Sequence, residues 1–205
     1  NSLAVFTGQM QVQHRGYHDE PYMHRTIADA DRIAERIRDA GGLQAVSVRG
    51  YGFALVSSAS RTIGAQISGV DPDHEALVST IPGLVVDGSY LSARNANEAV
   101  VGNTLARNLK IGVGDELTLL GSGRDGSVAA TVLPVVGIFD SGSIELDRHM
   151  LEIPLVPLPW PAVIVDDHPH RHRQQRHARH GEHAVQPLHV VRSFFAGGHS
   201  GSIRN

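Results

Sequence analysis

Apolar residues follow two rhythms through the first 155 positions. Met10 and Val12 alternate with Gln9, Gln11 and Gln13, as in a half-exposed strand. Ile27, Ala30, Ile33, Ala34 and Ile37 then recur at helical spacing. Asp29, Asp31, Arg32, Glu35 and Arg36 fill the opposite face, and Gly41-Gly42 supplies the stop. This predicts a helix over 26–40, packed on a sheet that contains 46–56. Residues 45–56 and 64–70 read as strands. A short helix at 73–78 follows, then Ile81-Pro82-Gly83, then Leu84-Val85-Val86 closed by a turn at Asp87-Gly88. Further on come a short buried strand at 98–102, a helix at 103–109 and a strand at 116–120. A glycine-rich hairpin tip at 121–126 leads to strands at 128–133 and 135–139. Asp140-Ser141-Gly142 ends the last of these. Residues 144–155 carry apolar Leu146, Met150, Leu151 and Ile153. The fold class predicted is α+β, with a β-rich middle held by short turns.

Beyond Leu155 the rhythm fades and the composition shifts. Eight of the 13 histidines lie there, and the local net charge is +3 against −6 for residues 1–155. The whole chain, at −3, lacks the basic footprint of a nucleic-acid binder. With no cysteine, disulfides, thiol catalysis and cysteine-type zinc sites are excluded. No stretch approaches the ~20 apolar residues of a membrane span, and Leu3-Ala4-Val5-Phe6 is too short for a signal peptide. Asn1-Ser2 without a methionine reads as the start of an excised domain or mature fragment.

Several constellations invite a chemical reading, and each has a plainer one. Gly121-Ser122-Gly123-Arg124-Asp125-Gly126 is glycine-rich like a phosphate loop, but it lacks the G-K-(S/T) ending and lies between strands, so it reads as a hairpin tip. Asp140-Ser141 with His149 has no G-x-S-x-G elbow and reads as a strand-ending turn. His14, His18 and His24 beside Asp19 and Glu20 match no metal-ligand spacing and read as surface histidines. Arg49, Tyr51 and Phe53 alternate and share one strand face. They are the candidate partner surface, against ordinary sheet packing.

The segment from Glu98-Ala99-Val100-Val101-Gly102 through Leu105-Ala106, Leu109 and Gly114-Asp115 to Leu117 and Leu119 resembles a motif of the MacB-like periplasmic core domain. That motif is E-x-(V/I)-(V/I)-G-x-x-L-A-x-x-L-x-(V/L)-x-x-G-D-x-(V/L)-x-(V/L). Val135-Val136-Gly137-Ile138-Phe139-Asp140-Ser141-Gly142, followed by Asp147, is similar to the family's V-x-G-I-(F/Y)-x-(T/S)-G-x-x-x-x-D. Thr7-Gly8-Gln9 and Ser68-Gly69-Val70-Asp71-Pro72 resemble segments of its LolC/LolE branch. The ordered set covers 3–155. Read physically, these residues are scaffold. Gly112 and Gly114 allow a tight connection, Asp115 bonds its own turn, and Gly102 lets a strand pass close to the next helix.

The resemblance implies a two-lobed domain of an ABC transporter permease of the MacB/LolC/LolE/FtsX type, outside the cytoplasmic membrane. It implies a βαβ porter-like lobe with a β-rich sabre-like lobe inserted near 82–139. It further implies a permease dimer, a cytoplasmic ATPase, membrane helices on both sides of the domain, and a lipoprotein or other periplasmic partner. It implies no cofactor, no metal and no catalysis. The alternative is an autonomous periplasmic binding or adaptor module. On this reading the resemblance ends near Leu155, leaving 156–205 as a His/Arg/Pro-rich tail. Such a composition arises from GC-rich DNA translated out of frame, which would leave the porter-like lobe incomplete. A natural disordered tail and a metal-binding tail are the other readings.

Overall fold

The computed structural model describes residues 10–14, 17, 27, 29–43, 45–122, 128–155 and 190–192. The predicted fold class is the one observed. Helices and strands are mixed, and seven of the strands form one sheet in the order β4-β7-β5-β8-β3-β2-β6. These are β2 (Arg49–Ser57), β3 (Thr62–Val70), β4 (Val85–Gly88), β5 (Ala99–Gly102), β6 (Glu116–Ser122), β7 (Val128–Phe139) and β8 (Met150–Pro154). β6 also pairs with β7, so six strands close into a barrel-like circuit and β4 hangs on β7 as an extra strand. Closure leaves few free edges for unwanted pairing. Strands from 85–139 thus share one sheet with those from 49–70 and 150–154. Separately, β1 (Met10–Val12) pairs antiparallel with β9 (Val190–Arg192).

The inside of the circuit is aliphatic. Val56, Ile67, Val101, Leu117, Leu119, Leu133 and Leu151 converge there from all six strands. α3 (Asn103–Leu109) adds Leu105, Ala106 and Leu109, spaced to lie on one helix face. Full burial of each large side chain stabilises by roughly 1.5–3 kcal/mol. The helix ends where Lys110 turns left-handed, at φ 58°. The following turn is built as the sequence requires: Gly114 takes φ 94°, and the Asp115 carboxylate accepts from the Gly112 N–H at 2.8 Å.

Several elements differ from the sequence reading, among them the helix expected at 73–78, which is Pro72–Glu75. The two strands expected at 128–133 and 135–139 are one strand, β7, in which the chain changes partners at Pro134. The first half pairs with β6 up to Glu116↔Pro134, and the second with β5 and β4. Proline has no N–H to donate, so it is tolerated where one ladder ends. Asp87-Gly88, read as a turn, belongs to β4, with Gly88 opposite Gly137. The helix expected over 26–40 is α1 (Ala30–Asp39), because Asp29 adopts φ 52° and its carboxylate pairs with Arg32 at 2.7 Å. On α1, Ala34 is buried while Ile33 and Ile37 are half-buried, and the strand following it starts at Arg49.

α4 (Ile144–His149) begins at Ser143, whose hydroxyl accepts from the Leu146 N–H. It lies against β5 at Gly102, where any Cβ would collide with the Asp147 backbone. Gly102 therefore does permit a close approach, but to α4 and not to the next helix in sequence, α3. Asp147 is buried and accepts from the Ser141 N–H and hydroxyl, at 3.0 and 2.6 Å. Hydrogen bonds from Asn103 and the Gly142 N–H hold Asp140 below the ordinary aspartate range. The Asp140-Ser141 turn thus serves to start α4.

Candidate functional site

Odd-numbered residues of β2 point away from the barrel interior, and Arg49, Tyr51 and Phe53 share that outer face with Leu55. The two ends of the face meet different surroundings. At the Arg49 end it lies under a second layer formed by α2 (Pro72–Glu75), the 3-10 turn Ile81–Leu84, and Tyr90 and Leu91. At the Phe53 end it is open.

Arg49 is buried under that layer. Its Nε donates to Glu75 Oε2 at 2.9 Å, and its Nη2 donates to Glu75 Oε1. Ser47 Oγ adds a third donor to Glu75 at 2.9 Å. Burial alone would weaken the guanidinium as a cation, but the Glu75 hydrogen bonds and charge outweigh it and hold its pKa above the usual value. Tyr51 is raised by burial, against the opposing pull of Arg49. One strand over, Ser68 pairs in register with Tyr51 on one side and with Glu152 on the other, and Val100 follows Glu152 on β5. This row across four strands carries a second carboxyl with no exposure at all. Glu152 accepts from the Tyr90 hydroxyl at 2.7 Å, and burial, reinforced by the Glu75 charge, pushes its pKa up to about 8. Apolar Val70, Ile81, Leu91, Val100, Phe139 and Met150 surround the polar row.

The open end is apolar. Phe53 is 68% exposed and Leu55 48%. Leu55 is opposite Leu120 of β6, which is opposite Ala130 of β7. Val128 and Val132 continue the same face of β7, and both are exposed. The stripe reaches over three strands through the row Leu55, Leu120 and Ala130, and it is flanked by polar positions: Ser57 and Thr118 on one side, and Ser122 opposite Val128 on the other. Of the three predicted surface residues, the structure therefore leaves only Phe53 open and places Arg49 and Tyr51 in a buried network. Sequence reasoning missed Leu55, Leu120, Val128 and Val132. Their signal was available: Leu119-Leu120 puts apolar residues on both faces of one strand, against strict alternation.

A second charged cluster ties α1 to this layer. Both oxygens of Asp31 accept from Arg94 Nη2, at 2.7 and 2.8 Å, and Arg94 Nη1 is 3.6 Å from Asp71. Asp71 in turn meets His74 Nδ1 at 2.9 Å. Among the described residues, no three His, Asp or Glu side chains converge as metal ligands. His18, His24 and every histidine after Leu155 lie outside the described residues. Among the described residues no helix is long and apolar enough to cross a membrane.

The model of one family, the MacB-like periplasmic core domain, matches residues 1–178, and the chain belongs to that family. It is accordingly a periplasmic core domain of the MacB-like type. The matched span runs past Leu155, where the motif reading ended the resemblance. Similar solved structures include the following two. The extracellular domain of the noncanonic ABC-type transporter YknZ from Gram-positive bacteria aligns at 11% identity and TM-score 0.47, over 61% of this chain and 62% of that one. The periplasmic region of MacB from Actinobacillus actinomycetemcomitans aligns at 13% identity and TM-score 0.49, over 83% of this chain and 80% of that one. The chain thus spans less than two thirds of the YknZ domain. No curated protein sequence matches it.

Proposed function

We propose that this domain is a non-catalytic coupling element, held between the first and second membrane helices of a dimeric permease. A cytoplasmic ATPase drives the helices, and the domain passes their motion to a partner outside the membrane, in the manner of lipoprotein release. Within 3–155, residues 82–139 form the sabre-like part, and the strands before and after it form the porter-like part. Because both parts contribute to one sheet, a displacement at either is carried through hydrogen-bonded strands rather than through a hinge.

The observation that carries this reading is the exposed apolar stripe of Phe53, Leu55, Leu120 and Val132 on a rigid, closed sheet. Contiguous exposed apolar surface on an ordered scaffold is the mark of a contact site for another macromolecule. Hydrolytic chemistry has no support here, since Ser141 is engaged with Asp147 and starts α4.

The test uses the full permease reconstituted with its ATPase in membranes. Phe53→Asp and Leu120→Asp should leave basal ATP hydrolysis unchanged and remove partner capture, read by crosslinking from position 53. Unchanged capture in both variants refutes the surface. A gene that lacks hydrophobic spans on both sides of the domain would refute the permease reading in favour of an autonomous adaptor.

A further inference from the structure

The layer over the Arg49 end of the sheet holds more carboxyl groups than cations. Glu75 of α2 and Glu152 of β8 are both fully buried. The charged and titratable groups facing them are Arg49 and Tyr51 from β2 and Tyr90 from the segment after β4. β3 contributes the uncharged Ser68. Both phenols are held neutral by burial, so Arg49 is the one cation of this group. Its two-pronged bond is spent on Glu75.

Glu152 is left with one hydrogen bond, from Tyr90 to Oε2. Its other oxygen, Oε1, is buried and has no hydrogen-bond partner, and the same is true of Ser68 Oγ on the adjacent strand. An ionised carboxylate in a dry site, with one oxygen unpartnered and a second anion nearby, is strongly disfavoured. A proton on Glu152 removes the charge and turns an orphan acceptor into a donor. The fork of Arg49 is committed to Glu75 and makes no hydrogen bond to Glu152.

We propose that Glu152 carries its carboxyl proton in the folded domain at neutral pH, and that losing it loosens the layer of α2 and residues 81–91 from the sheet. The layer is a pH-sensitive element built across four strands. It faces the side of the membrane on which pH is set by the surroundings, and its release would uncover Val70, Val100 and Met150. This inference does not depend on the partner surface or the transport reading.

The sign follows from proton linkage. In the unfolded chain Glu152 titrates in the ordinary glutamate range, whereas in the folded domain it titrates near 8. Its contribution is fully present below the unfolded value and is lost as pH rises through the folded one. Over that window the unfolding constant should rise, by up to roughly tenfold per pH unit.

The test follows the whole chain by urea denaturation from pH 5 to pH 9, beside Glu152→Gln. The wild type should lose stability steadily over this range, and the glutamine variant should give a nearly flat profile. Parallel profiles would overturn the proposal. Should Glu152→Gln not fold, carboxyl-carbon NMR of the wild type labelled at glutamate decides the question. One resonance titrating near 8 supports the proton, and all glutamates titrating below 6 overturns it. Hydrogen exchange of 72–91, corrected for intrinsic rates, should accelerate selectively between pH 7 and 9; protection unchanged across that range refutes the loosening.

Discussion

The two ends of the outer sheet face invert the usual relation between polarity and exposure. At one end Arg49, Glu75 and Glu152 are polar and buried; at the other Phe53, Leu55, Leu120 and Val128 are apolar and open. Neither composition is the default for its place, and such departures are more informative than an ordinary core. The covered end teaches that burial of charge is tolerated only with pairing: each member leans on a named partner in another element. The open end teaches the reverse. Its side chains stand exposed, yet the strands beneath them are fixed by Val56, Leu117, Leu119 and Leu133 on the inner face. The same strand β2 serves both ends, so the difference arises from what lies over it.

The largest expected effect breaks the covered end. Arg49→Ala leaves the Glu75 carboxylate buried without its cation and should destabilise the domain by about 3–5 kcal/mol in chemical denaturation. A loss below about 1 kcal/mol would show that the ion pair is not what holds α2 on the sheet. Tyr90→Phe removes the one donor to Glu152 Oε2 and should cost about 1–3 kcal/mol. Because the phenol's hydrogen bond lowers the Glu152 pKa, the variant should also move that titration above about 8, read by carboxyl NMR. An unchanged titration would place the phenol elsewhere in solution.

The link to α1 is weaker, since Arg94 and Asp31 are each about one third exposed. Arg94→Ala should cost no more than about 1 kcal/mol globally, but it should speed amide exchange in α1 (30–39) more than elsewhere. The smallest effect belongs to the open end. Phe53→Ser should change stability by no more than about 0.5 kcal/mol, while removing partner capture in the full permease. A loss of several kcal/mol would mean that Phe53 is packed in solution and that the face is not open.

The sequence by itself determined the elements whose rhythm is local. The helix at 103–109 appears with its expected bounds, β5 is as buried as its four apolar or glycine residues suggest, and Gly112-Val113-Gly114-Asp115 makes the turn its residues require. The ordered motifs also carried the family, because they are spacings along the chain. What only the tertiary structure decided concerns contacts between distant segments. Alternation placed Arg49, Tyr51 and Phe53 on one face, but it does not encode that α2 and Tyr90 fold over the first two and stop before the third. The ring closure depends on β6 pairing with the distant β2 and on where the long strand β7 changes partners to β5, and the inner and outer rhythms are the same in an open sheet. Glu152 sits in a run of apolar residues, and nothing local marks it as a proton carrier. Its state is set by Glu75, 77 positions earlier in sequence, by Arg49 and by Tyr90. Hydrophobic periodicity reports which way a side chain points, while its protonation and exposure depend on what the fold brings over it.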